Sequence, residues 1–218
     1  MRWTADLTYA IGLIATDGSL SKDGRHIDLT SKDIEQIKTF ACIFNLKNKI
    51  GLKSSSYLKE KKYYRIQFGN VKLYNFLLKI GITPNKSKTL RELKIPPQYF
   101  CDYLRGYLDG DGCTFSYYDK RWKNSFRLYT AFISASFDHL KWLQETIKNL
   151  YDIEGKIGRL VRGGYQLRFA KNSSIKLFKI LYYTNRVVCL KRKKFKVDQA
   201  LSIIRKQAGM AKLVNAQS

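Results

Sequence analysis

The sequence YAIGLIATDG spans Tyr9 to Gly18, and the related sequence YLRGYLDGDG spans Tyr103 to Gly112. The two stretches share the initial Tyr, the central Gly and the final Asp-Gly at a constant spacing of 94 residues. Internal similarity at a fixed spacing is typical of a repeated structural unit. The chain is therefore predicted to contain two halves with a similar fold.

The segments that follow the two stretches are also alike. The first is followed by a strand-like stretch to Ser31, helical spacing from Ile34, a basic hairpin through Lys59–Phe68 and a helix at about 71–80. The second is followed by strand-like residues to Ser136, helical spacing from Leu140, a hairpin through Arg159–Phe169 and a helix at about 173–182. Alternating and helical hydrophobic periods predict strands and helices respectively. We therefore predict an α+β fold in which helix, two strands, helix, two strands, helix occurs twice.

Four segments follow from this pattern. All three prolines lie between Pro84 and Pro97, which favours a connector there. The predicted organisation is a first half at 1–83, a linker at 84–100, a second half at 101–190, and a basic helix with a loosely ordered tail at 191–218.

The composition indicates a protein that binds a polyanion. Lys and Arg number 41 against 17 Asp and Glu, which gives a formal net charge of +24. A membrane surface is the competing partner, but no cationic amphipathic helix, lipidation signal or long apolar run supports it. The N-terminus has no signal-peptide pattern, so we expect a cytoplasmic protein of a bacterium or archaeon, or an organellar one, that is not secreted. The four cysteines form no Cys-x-x-Cys pair, which argues against a zinc site.

Small residues in the two repeated stretches predict that two helices pack closely. Gly12 and Thr16 lie four residues apart, as do Gly106 and Gly110, so each pair shares one helix face. Small residues on a shared face let two helix backbones approach each other. Helices commonly end at glycine, and Gly18 and Gly112 are therefore predicted to lie just past the last turns of the two helices.

Asp17 and Asp111 then occupy an unfavourable place. A carboxylate at a helix C-terminus faces the negative end of the helix dipole, and two neighbouring carboxylates repel each other. Because both halves place an acid there, we infer a compensating cation, and Mg²⁺ suits two carboxylates that share it with phosphate and water. A plain Asp-Gly turn is the alternative for one copy. A calcium loop starting at Asp109 is excluded, because the sixth position is Thr114 and the twelfth is Lys120.

These residues resemble the LAGLIDADG homing endonuclease family in its single-chain form with two motifs. The resemblance implies two αββαββα halves whose antiparallel sheets form a saddle over double-stranded DNA, with the motif helices at the pseudo-twofold axis. It also implies a monomer that cuts both strands across the minor groove, with Mg²⁺ or alternatively Mn²⁺ as cofactor. By the same mapping, Asp17 and Asp111 are metal ligands, and the backbone carbonyls of Thr16 and Gly110 are further ligands.

The sequence departs from the family pattern at two places. The earlier acidic position of the motif is Ala15 in the first copy and Asp109 in the second, and it is not the main metal ligand of the family. A basic residue often stands on the last strand of each half, near the scissile phosphates. The alignment puts Gln67 there in the first half and Arg168 in the second, so catalysis is expected to be unequally supported on the two strands.

Side chains that project from the strands would contact the bases. The candidates are Lys22, Arg25, Asp28, Lys59, Lys61, Tyr63, Arg65, Tyr117, Arg121, Lys123, Arg127, Tyr129, Arg159, Arg162 and Gln166. The basic run Lys191–Lys194 is expected to contact phosphates instead. Two alternatives to a nuclease use the same scaffold: an RNA-binding maturase and a non-cleaving DNA-binding regulator. The first of these would make an intron RNA an additional partner. The presence of both Asp17 and Asp111 favours the nuclease.

Overall fold

The computed structural model describes residues 1–54, 62–122, 125–161 and 163–215. The first half contains α1 (Ala5–Asp17), β1 (Gly18–Leu20), β2 (His26–Ser31), α2 (Ile34–Ile43), β3 (Gly51–Ser54), β4 (Lys62–Gly69) and α3 (Val71–Ile80). The second half contains α4 (Phe100–Asp109), β5 (Cys113–Tyr118), β6 (Phe126–Ser134), α5 (Phe137–Tyr151), β7 (Lys156–Arg159), β8 (Tyr165–Phe169) and α6 (Lys171–Leu181). A long C-terminal helix, α7 (Lys191–Asn215), follows. The predicted α+β fold and its doubled order of elements are confirmed.

The strands form two antiparallel sheets with the same topology. Their orders are β1-β2-β4-β3 and β5-β6-β8-β7. Along β2, the side chains of Ile27, Leu29 and Ser31 are buried while their neighbours are partly exposed. This alternation is expected for a strand that packs against helices on one face only. Each sheet therefore has one open face, which is defined here as the face turned away from the helices.

Helices α1 and α4 pack against each other through their glycines, as the sequence predicted. A Cβ atom at Gly12 would overlap the carbonyl oxygen of Tyr103, and a Cβ atom at Gly106 would overlap the carbonyl oxygen of Tyr9. The phenol of Tyr9 also donates a hydrogen bond of 2.8 Å to Asp109 Oδ2. The close approach fixes the ends of α1 and α4 side by side.

The chain after α6 is tied to α4 by a buried arginine. Arg105 is fully buried and donates to the carboxylate of Asp102 at 2.6 Å and to the carbonyls of Leu181 and Val188 at 2.9 and 2.8 Å. A buried guanidinium is stable only when its donors are satisfied, and this arrangement provides charge and carbonyl partners. The start of α7 is consequently held close to the end of α4.

Helix α7 covers the helix-facing side of the second sheet. Val197 and Ala200 of α7 form a small core cluster with Phe126 and Leu128 of β6. The helix continues through residues 209–215, where the sequence predicted a loosely ordered tail. Alanine, lysine, leucine and methionine in this stretch are good helix formers, which accounts for the difference. No helix within the described ranges has the length and apolar character needed to cross a membrane.

Candidate active site and nucleic-acid interface

The two motif aspartates stand at corresponding ends of the paired helices. Asp17 is the last residue of α1, and Asp111 follows the end of α4 by two residues. A Cβ atom at Gly18 would lie 2.6 Å from Ile14 Cα, and a Cβ atom at Gly112 would lie 2.6 Å from Leu108 Cα. Both glycines are thus required because the chain turns tightly over its own helix. Gly18 does so at a φ of −88°, so its role is space and not a left-handed backbone.

The carboxyl groups of Asp17 and Asp111 lie in a shared, poorly solvated place. Burial raises the pKa of Asp17 to about 7, and the nearby charge of Asp111 contributes to this rise. Burial also raises the pKa of Asp111, although Lys193 and Lys86 oppose the shift. A carboxylate beside a second carboxylate in a desolvated site resists ionisation unless positive charge is supplied. The geometry therefore brings together the two acids that the sequence singled out.

Two lysines provide positive charge at these turns, and Lys86 was missed in the sequence. Lys86 is 5% exposed and donates to the carbonyl of Gly18 at 2.5 Å. Burial lowers the pKa of its ammonium group to about 8, while Asp111 and Asp17 act in the opposite direction. Lys86 belongs to the predicted linker, where a lysine carries no signal that distinguishes it from a solvated one.

Lys193 occupies the matching place in the second half. Its ammonium group lies 2.7 to 2.9 Å from the carbonyl oxygens of Leu108, Asp109, Gly110 and Gly112, and it donates to them. It thereby satisfies the free carbonyls at the C-terminus of α4, where a cation is favourable. Burial lowers its pKa. The expectation that the run 191–194 contacts phosphates does not describe Lys193, because its side chain turns inward.

The oxygen atoms at this site suit a hard divalent cation. Asp17 and Asp111 supply two carboxylates, and the described residues form no group of three or more His, Cys, Asp or Glu side chains that could hold a metal. Mg²⁺ commonly binds through one or two carboxylates and completes its shell with water and phosphate oxygens. The donor set therefore fits Mg²⁺. The carbonyl of Gly110, a predicted ligand, already accepts a hydrogen bond from Lys193.

The acidic residue that interrupts the motif symmetry has a different role. Asp109 Oδ2 accepts hydrogen bonds from the Tyr9 phenol at 2.8 Å and from the backbone N–H of Leu190 at 2.7 Å. Burial raises the pKa of Asp109 to about 6, and these bonds oppose the rise. Asp109 joins α4 to α1 and to the segment before α7, whereas the methyl side chain of Ala15 in the first half cannot form such bonds.

Strand register relates Gln67 to Arg168. Ser19 pairs with Asp28, which pairs with Gln67, whereas Cys113 pairs with Ala131, which pairs with Arg168. Ser19 and Cys113 each stand two residues after the motif aspartate, so the two rows correspond. Gln67 and Arg168 are exposed on the open faces of their sheets. The guanidinium of Arg168 lies 5.3 Å from the ring centroid of Tyr129.

The structure divides the predicted base-contacting residues into groups. Those on the open faces are Asp28, Tyr63 and Arg65 in the first sheet and Tyr117, Arg127, Tyr129 and Gln166 in the second. Lys22 and Arg25 lie in the β1–β2 turn, and Arg121 lies in the β5–β6 turn. Arg159 pairs with Tyr165, so alternation separates it from Gln166 and places it on the opposite face. Lys59, Lys61, Lys123 and Arg162 lie outside the described residues.

Several arginines of this interface are held by acidic neighbours. Arg65 forms an ion pair of 3.0 Å with Asp28 across two strands. Asp119 accepts from Arg121 at 3.0 Å through each of its oxygens and from Arg127 at 3.4 Å. Such pairs contribute little stability at a surface but restrict the orientation of the guanidinium. Each sheet therefore presents an oriented arginine on its open face.

Comparison with known proteins gives fold-level relationships. Neither a protein-family model nor a curated protein sequence matches the chain. The homing endonuclease I-WcaI bound to its DNA recognition sequence aligns over 89% of this chain and 88% of its own, with 12% identity and a TM-score of 0.65. I-DmoI in complex with DNA and Mn aligns over 83% of this chain and 98% of its own, with 18% identity and a TM-score of 0.54.

A third similar structure is named differently. The N-terminal LAGLIDADG domain of DUF199/WhiA aligns over 91% of this chain and 88% of its own, with 13% identity and a TM-score of 0.56. At these identities, likeness establishes the fold. The chain therefore has the two-half fold of the LAGLIDADG homing endonucleases, and the resemblance predicted from its motifs is confirmed at that level.

Proposed function

We propose that the protein is a site-specific DNA endonuclease that cuts both strands of a long, asymmetric target across the minor groove. The observation that carries this proposal is the pairing of Asp17 and Asp111 at the ends of two packed helices, each beside an inward-turned lysine. Two open, antiparallel sheets flank this pair in a chain with a net charge of +24. Carboxylates between two basic surfaces suit hydrolysis of a phosphodiester.

Asp17 and Asp111 would hold Mg²⁺, or alternatively Mn²⁺, together with the carbonyl of Thr16 and with that of Gly110 where Lys193 releases it. When bound, the cation supplies charge neutralisation at the phosphate and a more acidic water. The Mn in the complex of I-DmoI with DNA supports a divalent ion in proteins of this fold. The raised pKa of Asp17 beside Asp111 gives the same expectation, because a bound cation would favour the ionised forms of both.

The side chains of the protein supply the remaining chemistry. Lys86 and Lys193 hold ammonium groups against the motif turns, where their positive charge would act through space, without direct contact, on negative charge that develops on a phosphate. Arg168 and Gln67 occupy equivalent positions on the open faces and would orient the phosphates of the two strands.

The open faces of the two sheets differ, and this supports a monomer that reads an asymmetric site. Identical subunits would present identical surfaces and would read a near-palindrome. Here one chain already carries both aspartates and two different reading faces. The protein is therefore expected to bind double-stranded DNA as one chain per site.

The test of the proposed function is a pair of isosteric substitutions. Duplexes that bind the protein are selected from a randomised library in Ca²⁺ and are then incubated in Mg²⁺. Asp17→Asn and Asp111→Asn should each abolish double-strand cleavage and leave binding in Ca²⁺ largely intact, because each removes a metal ligand without changing the side-chain volume. Asp152→Asn is the matched control, since Asp152 is exposed and its left-handed backbone also suits asparagine.

Near-normal cleavage by either variant would exclude the assigned site. Specific binding without cleavage by the wild-type protein would favour a DNA-binding regulator. The likeness to WhiA supports this alternative, because the name of that protein does not mention nuclease activity. Preference for a structured RNA over every selected duplex would favour a maturase that binds intron RNA.

A further inference from the structure

The open faces of the two sheets carry different chemistry. On the first sheet, the central positions are Asp28, Arg65 and Gln67, which are charged or polar. On the second sheet, Phe115 and Tyr117 of β5 stand beside Tyr129 of β6. We call Phe115, Tyr117 and Tyr129 the aromatic ladder. Aromatic side chains on an open face of a strongly basic protein are an unusual use of surface and indicate a contact site.

The aromatic ladder is ordered by its own stacking. Phe115 lies directly opposite Tyr129, with ring centroids 5.3 Å apart and an interplanar angle of 26°. Tyr117 stacks on Tyr129 from the diagonal position, at 6.3 Å and 24°. The guanidinium of Arg168 lies 5.3 Å from the centroid of the same ring. These contacts fix the rings before any ligand binds, which reduces the entropy lost on binding.

This stacking determines which kind of nucleic acid the ladder suits. A platform for single-stranded DNA or RNA needs free ring faces on which unstacked bases lie. Here the ring of Tyr129 is already in contact with Phe115, Tyr117 and Arg168, so its faces are largely used within the protein. Phe115 and Tyr117 are nevertheless 40% and 49% exposed. Tyr129, the ring at the centre of the ladder, therefore has no wide free face on which a base could lie, and the exposed parts of Phe115 and Tyr117 remain for a partner.

The edge of an aromatic ring is an apolar surface, and Phe115 has no group that can form a hydrogen bond to a base. Thymine is the one base that presents a methyl group in the major groove, and apolar side chains recognise it there. Arg127, which pairs with Tyr117 in the register, and Arg168 flank the ladder and supply charge for the phosphates. The occupant that fits this surface is the thymine-lined major groove of a DNA duplex.

We propose that the aromatic ladder reads the C5-methyl groups of thymines in the half-site bound by the second sheet, whereas the first sheet reads its half-site mainly by hydrogen bonds. This proposal rests on the proposed function, because it assumes that the open faces bind duplex DNA. It assigns Phe115 and Tyr117 as specificity-determining residues. It also predicts that the two half-sites are recognised by different interactions, apolar contacts with methyl groups in one and hydrogen bonds in the other.

The test removes the methyl groups without changing the pairing of any base. Duplexes selected from a randomised library in Ca²⁺ are resynthesised with deoxyuridine in place of thymidine in one half-site, in the other, or in both. Burial of one methyl group contributes about fourfold in affinity. We expect deoxyuridine in the half-site bound by the second sheet to weaken binding by about fourfold for each contacted thymine. Deoxyuridine in the half-site bound by the first sheet should have little effect.

Substitution of the ladder assigns the effect to these residues. Phe115→Ala and Tyr117→Ala should bring the affinity ratio between thymidine and deoxyuridine duplexes towards one. Both side chains are exposed on the edge strand β5, so the core is unaffected, and circular dichroism verifies the fold. Phe137→Ala is the matched control, because Phe137 is an aromatic residue of α5 that is 44% exposed and packs on Tyr165, away from the open faces. This variant should retain the wild-type ratio.

Three results would overturn the proposal. They are a selected target without preferred thymines in either half-site, equal affinity for the thymidine and deoxyuridine duplexes, and a methyl preference that survives in Phe115→Ala. Cleavage of the selected duplexes in Mg²⁺ is measured in parallel. Cleavage without a methyl preference would reject this inference alone, whereas the lack of any selected duplex would reject the proposed function as well.

Discussion

The two halves have the same backbone plan but stabilise their motif turns to different extents. In the first half, Lys86 donates a hydrogen bond to the carbonyl of Gly18. In the second, Lys193 donates to four carbonyls and comes from α7, a helix that has no counterpart among the described residues of the first half. The comparison teaches that a repeated backbone can present two equivalent catalytic positions while the side chains that support them come from unrelated parts of the chain.

The sheets extend the same comparison. Gln67 and Arg168 occupy equivalent positions in the strand pairing of the two sheets. Gln67 is nevertheless neutral, whereas Arg168 carries a fixed charge. Backbone pairing and alternate burial depend only on the pattern of apolar residues, so they are repeated faithfully. The open faces are free of that constraint and differ. The following predictions test whether these differences are functional.

Among the differences between the two halves, the largest expected effect concerns the two inward-turned lysines. Lys193→Met and Lys86→Met should each slow cleavage, because each removes a positive charge beside the site where the phosphate would bind. Loss of a donor that contacts the transition state commonly lowers a rate by about 10² to 10³, and loss of a charge on the adjacent turn is expected to reach the lower end of that range. We expect the larger loss for Lys193→Met, since it also leaves the carbonyls at the end of α4 without their donor. Single-turnover rates on a selected duplex in Mg²⁺ measure both.

The control for these variants is Lys194→Met. Lys194 is adjacent in sequence, but its ammonium group binds the exposed Asp198 at 2.8 Å. The Lys194→Met variant should therefore cleave at a rate close to that of the wild-type protein. Binding in Ca²⁺ separates a catalytic effect from misfolding. Equal cleavage by all three variants and the wild-type protein would show that the inward-turned lysines only stabilise the fold.

A smaller effect on the cleavage rate is expected for Arg168 and Gln67, the equivalent residues on the open faces of the two sheets. Arg168→Ala should slow cutting by about tenfold, because a fixed positive charge stabilises the transition state more than the amide dipole of Gln67 does. Gln67→Ala should have a weaker effect. Since each residue would serve one strand, Arg168→Ala should accumulate nicked duplex in a strand-resolved time course. Equal effects without a nicked species would show that the register equivalence has no catalytic meaning.

Much of the fold could be predicted from the sequence because it depends on local patterns that occur twice. The small residues of the motif predicted the packing of α1 on α4, and the doubled order of elements predicted the two sheets. Asp17 and Asp111 were found because the motif repeats them at one spacing. Their place at adjacent helix ends follows from the packing of the glycines.

The partners of these aspartates could not be predicted, because they depend on contacts between distant segments. Lys86 lies 68 residues from Gly18, the residue it contacts, and it stands in a segment of turns and prolines. Lys193 was recognised only as part of a basic run, since the sequence does not show which lysine of a run turns inward. Arg159 was assigned to the reading face without knowledge of its register. One residue of register reverses the face that a strand residue occupies.

The smallest expected effect concerns the helix that follows the second half. Lys196 of α7 lines a cleft with Gly112 and Cys113, close to Asp111, and its side chain is exposed. A lysine that neutralises one DNA phosphate contributes about 0.9 to the slope of log affinity against log salt concentration. Lys196→Gln should therefore lower the slope by about that amount and weaken binding uniformly across selected duplexes, because phosphate contacts carry no base information.

Lys179→Gln is the control, since Lys179 is exposed on α6, on the helix-covered side of the second sheet, and its loss should leave the slope unchanged. Titrations in Ca²⁺ between about 50 and 200 mM salt, a range over which such contacts act strongly, resolve the difference. If Lys196→Gln and Lys179→Gln have the same slope, Lys196 does not contact a DNA phosphate, and the contribution of α7 to the site is limited to Lys193.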